Sequence, residues 1–223
     1  MSNPYQLIVF DWEGTISDTL GLILHTVAAE AHHLGFGDID PYQARQYVDL
    51  GLVQALRKVL PHLSLGQHEQ LLQAVQRAMV TRPTEVCLIP GAREIIQQMH
   101  DAHIDLAIAS NKGQHSLARA LHSTGLDTLF KVTRCAGQVS AKPNPQMLEE
   151  IMDEFGQKPS TTLMIGDSTT DIEMAKSINV AAIGVDFYHQ NKEILKAAGA
   201  LIVFDDYQSL AQFLKLPQAS TGV

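Results

Sequence analysis

Residues Leu7-Ile8-Val9-Phe10 are four consecutive apolar side chains that run directly into Asp11. A strand with one wet face alternates polar and apolar residues, whereas an unbroken apolar run belongs to a strand covered on both faces. Such strands lie inside parallel sheets packed between helices, so this one segment already points to an α/β architecture. It also puts Asp11 at the carboxyl end of a central strand, where open α/β sheets bind ligands. Gly14 permits a sharp turn just beyond, and Glu13 adds a second acid two residues after the first. A carboxylate so placed can act as a nucleophile or as a metal ligand.

The next stretch has a different style. From Ser17 to about Thr81 the periodicity is helical throughout, with Leu20, Ile23, Leu24, Val27, Ala28 and Ala31 on one spacing and Gly35 as a stop. Asp40-Pro41 reads as a helix start with proline at the first helical position. Segments 52–60 and 67–79 follow, separated by Pro61 and Gly66. From Pro90 onward helix and strand alternate. Strands are expected at 104–109, 130–135, 163–165, 180–185 and 201–204. Helices are expected before Met99, before the stops Gly125 and Gly156, and at 172–178 and 207–214, with a frayed tail from Pro217. This alternation implies a Rossmann-like, doubly wound parallel sheet with right-handed crossovers. The expected division is an α/β core of residues 1–16 and 85–223, interrupted by an all-α insert of residues 17–84.

Charge narrows the partners. The chain carries 16 Lys and Arg against 24 Asp and Glu, a net charge of −8. That balance argues against nucleic acid or an anionic membrane as a partner, and an anionic substrate would need cations placed locally. Cys87 and Cys135 show neither metal-ligand spacing nor a disulfide framework, which fits a reducing cytoplasm. The first residues lack the pattern of a signal peptide, and no apolar run approaches the ~20 residues needed to span a bilayer. A cytoplasmic monomer or homodimer is expected.

Four polar clusters fall at or just beyond the carboxyl ends of the expected strands: Asp11 with Glu13, Ser110 with Asn111, Lys142, and Asp167 with Asp171. In a parallel sheet these ends share one edge, so the clusters can converge. The chemistry they suit is phosphoryl transfer. A dianionic phosphate ester repels an anionic nucleophile, so a carboxylate needs the charge around it neutralised. Asp11 and Asp167 could hold Mg²⁺, which favours a few carboxylates and keeps room for waters and substrate oxygens. Lys142 would supply a fixed positive charge and Ser110 a short hydroxyl donor. Asp167 and Asp171 are four apart and share a face if a helix begins there, so that one can bind metal while the other orients Lys142.

These stretches, Asp11-Trp12-Glu13-Gly14-Thr15, Ser110, Lys142-Pro143 and Gly166-Asp167-Ser168-Thr169-Thr170-Asp171, resemble in order and spacing the four motifs of the haloacid dehalogenase superfamily. The resemblance is to its phosphatase branch with a helical cap, and within that to the phosphoglycolate-phosphatase-like subgroup. It implies a Mg²⁺-dependent phosphatase acting on a small phosphorylated metabolite. It implies that Asp11 forms an aspartyl-phosphate and that the acid two residues later protonates the leaving group and then activates water. It also implies that Asp11, the Glu13 backbone carbonyl and Asp167 hold Mg²⁺. Ser110, Asn111 and Lys142 would then contact phosphate, with Thr15 and Asp171 in support. The cap would close over the site and choose the substrate.

One departure stands out. The family usually carries Asp where this chain carries Glu13, a side chain longer by one C–C bond, about 1.5 Å. A sugar phosphomutase and a catalytically weakened binder of phosphometabolites share most of these motifs and stay open as alternatives. A metal-free dehalogenase is disfavoured by the Mg²⁺ site and by Glu13. A phosphonatase would use a cap lysine such as Lys58, but such enzymes lack the acid at position 13. Other residues have plainer readings: Ser168 and Thr169 as helix caps, Trp12 as packing, and His25, His32 and His33 as one surface face of a helix. Asn111 either donates to phosphate or fixes its loop. Arg45, Arg57, Lys58, Arg77 and Arg82 are the cations of the insert.

Overall fold

The computed structural model describes residues 3–44, 52–81, 86–189 and 191–217. Contacts divide the chain into two compact units, Met1–Ser17 with Leu88–Val223, and Asp18–Cys87.

In the first unit, β1 (Leu7–Phe10) is fully buried, as an unbroken apolar run requires. It is flanked by β2 (Asp105–Ser110) and β4 (Thr162–Gly166), and β3 (Val132–Cys135), β5 (Ala181–Val185) and β6 (Val203–Phe204) extend the sheet. The six strands lie in the order β3-β2-β1-β4-β5-β6, and all their pairings are parallel. The chain moves outward from β1 in one direction through β3, then crosses back to β4 on the other side of β1. That reversal leaves a crevice at the carboxyl ends of β1 and β4. One face of the sheet packs Leu7, Val9, Ala107, Ala109 and Met164 against Met147, Leu148 and Ile151 of α7 (Gln146–Phe155) and Ile172, Met174 and Ala175 of α8 (Thr169–Ser177). The other helices of this unit are α5 (Ala92–Asp101), α6 (Gln114–Thr124), α9 (Lys192–Ala198) and α10 (Tyr207–Phe213).

The helix α9 is absent from the sequence expectation. It is seven residues long and buries only Leu195, so it offers no periodic apolar stripe to read. The last strand is shorter than expected, Val203–Phe204 in place of 201–204, and α8 begins earlier, at Thr169, because Ser168 and Asp171 cap it. Residues 218–223, the end of the expected frayed tail, lie outside the described residues.

The second unit contains α1 (Thr19–His33), α2 (Pro41–Ala44), α3 (Leu52–Val59) and α4 (Leu65–Thr81). It has its own core, in which Leu24, Val27 and Ala31 of α1 meet Leu56, Leu60, Leu71 and Val75. Asp18 starts α1 by accepting the Gly21 N–H at 2.7 Å. No described helix is long and apolar enough to cross a membrane.

Candidate active site

Asp11 is the first residue beyond β1, and its N–H still donates to the Ile165 carbonyl of β4 at 2.9 Å. The chain then turns tightly, with the N–H groups of Ile16 and Ser17 both donating to the Trp12 carbonyl, at 3.0 and 2.8 Å. Gly14 takes a left-handed conformation, φ +74°, and a Cβ there would stand 2.1 Å from Asp167 Oδ2. The bare backbone of Gly14 is therefore the floor on which the Asp167 carboxylate rests. Gly166 does the same for Asp171, whose Cγ would lie 2.4 Å from an added Cβ. Trp12 is buried and packs inward. Thr15 is buried as well, and its carbonyl accepts a hydrogen bond from Tyr207 Oη of α10 at 2.5 Å.

Lys142 unites the strand ends. Its side chain is 3% exposed, and its Nζ donates to Asp11 Oδ1 at 2.5 Å and to Asp171 Oδ1 at 2.6 Å. Its backbone N–H donates to Asn111 Oδ1 at 3.0 Å, so the Asn111 side chain fixes the loop that carries the lysine. Asp171 also accepts from Ser168 through Oδ2, from the N–H at 3.2 Å and the hydroxyl at 2.7 Å. A buried carboxylate with those three donors is well satisfied. Above this floor opens a cavity of about 530 Å³, lined by Asp11, Glu13, Ser110, Asn111, Lys112, Lys142, Asp167, Ser168 and Thr170.

One carboxylate oxygen each from Asp11, Asp167 and Asp171 lies within 4.8 Å of the others. Burial raises the Asp11 carboxyl, and Asp171 adds to this; Lys142 opposes it without cancelling it, and the group stands at about 7. Asp167 is likewise pushed up to about 7, chiefly by burial and then by the charges of Asp11 and Asp171. Burial alone would lower the Lys142 ammonium, but the two carboxylates outweigh it and raise it. When all three carboxylates are ionised, they leave two negative charges in excess over the one ammonium. A divalent cation would restore neutrality, so the donor set fits a hard, oxygen-seeking metal.

Of the residues singled out in the sequence, Asp11, Glu13, Ser110, Asn111, Lys142 and Asp167 surround one cavity. Asp171 lies beneath it, and Thr15 does not line it. One expectation needs correction. Asp167 and Asp171 do not share a helix face, because Asp167 precedes α8; the turn into α8 brings them together. The third carboxylate of the cluster is that of Asp171, whereas the Glu13 carboxylate turns to Lys112, 2.6 Å away. Two residues escaped the sequence reading. Lys112 was within reach, since it follows Ser110-Asn111 at a strand tip. Tyr207 was not, because it meets Thr15 across 192 positions of chain. His25, His32 and His33 are exposed, as are Arg57, Lys58 and Arg77, while Arg45 and Arg82 lie outside the described residues.

The family model described as haloacid dehalogenase-like hydrolase matches residues 8–185. A phosphoglycolate phosphatase of Synechococcus elongatus is 27% identical over 195 residues, covering 86% of this chain and 89% of its own. One from Rhodospirillum rubrum is 25% identical over 221 residues, covering 95% and 91%. Among solved structures, a hydrolase of the same family from Deinococcus radiodurans, with bound phosphate and sodium, superposes with a TM-score of 0.69. It shares 20% identity and covers 98% of this chain and 100% of its own. A Thermotoga maritima chain assigned as a β-phosphoglucomutase superposes with a TM-score of 0.64 at 21% identity, covering 93% and 99%.

Proposed function

This chain belongs to the haloacid dehalogenase-like hydrolase family, and from that premise we propose that it is a Mg²⁺-dependent phosphatase for a small phosphorylated metabolite of the phosphoglycolate kind. The observation that carries the reading is the setting of Asp11. Its carboxylate stands at a strand tip, bonded to the buried Lys142 and beside Asp167, and it faces a cavity that also presents Ser110.

In this reading an Asp11 carboxylate oxygen attacks phosphorus, and the bond from phosphorus to the ester oxygen breaks. The Glu13 carboxyl gives its proton to that oxygen, and an alcohol leaves. A water then attacks the aspartyl-phosphate at phosphorus while Glu13 takes up one of its protons. Inorganic phosphate departs and the Asp11 carboxylate is restored. Lys142 and Ser110 hold phosphate oxygens, Asn111 keeps the Lys142 loop in place, and Asp171 keeps the lysine turned toward the site. Mg²⁺, held by Asp11, Asp167 and the Glu13 carbonyl, would offset charge on the phosphoryl oxygens. The excess of negative charge that the ionised cluster carries supports that assignment. The helical unit selects among substrates, and Cys87 and Cys135, which form no disulfide, go with a cytoplasmic location.

The test is release of inorganic phosphate from a panel of phosphorylated metabolites and a generic aryl phosphate. Turnover with Mg²⁺ that disappears in EDTA and in Asp11→Asn is expected. Tight binding of phosphate esters without turnover would make the chain a binding protein. Movement of phosphate between sugar positions, without release, would make it a mutase.

A further inference from the structure

Lys112 lies two residues beyond Ser110 and immediately after Asn111. Its Nζ meets Glu13 Oε1 at 2.6 Å, its backbone N–H donates to Ser110 Oγ at 3.2 Å, and its side chain lines the same cavity as Glu13. The pair therefore ties the turn after β1 to the turn after β2 at the wall of the cavity. We propose that Lys112 is a positioning residue, which fixes where the Glu13 carboxyl group stands and so lets a side chain of glutamate length work at this position. The inference rests on the phosphatase reading above and extends it to a residue that nothing else in the site requires.

The physical argument is one of length and freedom. Glutamate has one more rotatable bond than aspartate, and its carboxyl group is carried about 1.5 Å further from the backbone. A reacting group misplaced by ~1 Å can lose about a hundredfold in rate. A cationic donor whose own backbone is tied to Ser110 removes that freedom. The Lys112 and Glu13 side chains are 27% and 41% exposed. Pairs that accessible add little to stability, so removing Lys112 should disturb the placement of Glu13 and leave the fold standing.

The experiment is a double-substitution cycle on the full chain: the unsubstituted protein, Lys112→Met, Glu13→Asp, and the two together. Values of kcat/KM, which read transfer to Asp11, are measured with Mg²⁺ on an alkyl phosphate and on an aryl phosphate with an activated leaving group. The alkyl leaving group depends on a well-placed acid, and the activated one scarcely does. Lys112→Met is expected to lower kcat/KM for the alkyl ester by about 10- to 100-fold, and for the aryl ester by about tenfold less. In the Glu13→Asp background the shorter side chain falls short of Lys112, so Lys112→Met should change either value by no more than about threefold. Lys112→Arg, which keeps a cationic donor, should lose less than Lys112→Met on the alkyl ester. Equal losses on both esters, or the same loss with Asp at position 13, would overturn the proposal and make Lys112 a substrate contact or a structural residue. Absence of turnover in the unsubstituted protein would overturn the phosphatase reading itself, and the role of Lys112 with it.

Discussion

Replacing Lys142 with methionine keeps most of the side chain's apolar stem and deletes its charge. In the structure that charge sits 2.5 Å from Asp11 and 2.6 Å from Asp171, with the lysine 3% and the carboxylates 9% and 0% exposed. Removing one partner of a buried, hydrogen-bonded charge pair costs about 3–5 kcal/mol, most of it from the charge left behind. For a chain of this size 1 kcal/mol moves the melting temperature by about 2–4 °C, so a fall of about 6–20 °C is expected. The assay is thermal unfolding in EDTA followed by the fluorescence of Trp12, the only tryptophan, which is buried in the α/β unit next to Asp11. Asp11 stands at about 7 even with Lys142 holding it down, so the penalty should be larger near pH 8 than near pH 5, where a proton bound to Asp11 replaces the missing ammonium. An equal loss at both pH values, or a loss below about 1 kcal/mol near pH 8, would show that Lys142 acts as packing and that the charge argument is wrong.

Other expectations follow from the same geometry. Gly14→Ala places a methyl group on the Asp167 carboxylate and forces a left-handed conformation on a residue with a Cβ. It should cost about 1–2 kcal/mol of stability and weaken Mg²⁺ binding by about 10- to 100-fold, as measured by calorimetric titration. Asp11 and Asp167 are raised from 3.8 to about 7 in the folded protein. Between about pH 4 and 7 the folded state thus binds more protons than the unfolded chain, and stability falls as pH rises through that window. Mg²⁺ competes with those protons, so the rise in melting temperature that it produces should be larger at about pH 8 than at about pH 5. An identical Mg²⁺ effect at the two pH values would exclude Asp11 and Asp167 as its ligands.

The parts of this molecule that were legible in the sequence are those fixed by local pattern. The apolar run before Asp11 revealed a buried central strand, and the βα alternation after Pro90 revealed the parallel sheet. Together they put Ser110 and Asp167 on the same edge as Asp11 without any knowledge of side-chain contacts. What local pattern could not give is the wiring between distant segments. Spacing suggested that Asp167 and Asp171 share a helix face, yet the turn before α8 joins them, and Gly14 and Gly166 make room for their carboxylates. The partner of Glu13 depends on two loops meeting, 99 positions apart. The bond from Tyr207 to Thr15 depends on the closing helix lying beneath the first loop, which no periodicity encodes. The helix α9 went unseen because one buried leucine makes no stripe.

The central claim is that Asp11 takes up the phosphoryl group. Rapid acid quench during turnover of a labelled phosphate ester, followed by mapping of the labelled peptide, tests it most directly. The account predicts one phosphoryl group on Asp11 that hydroxylamine releases, and none in Asp11→Asn. Label on another residue, or undiminished turnover in Asp11→Asn, would contradict it.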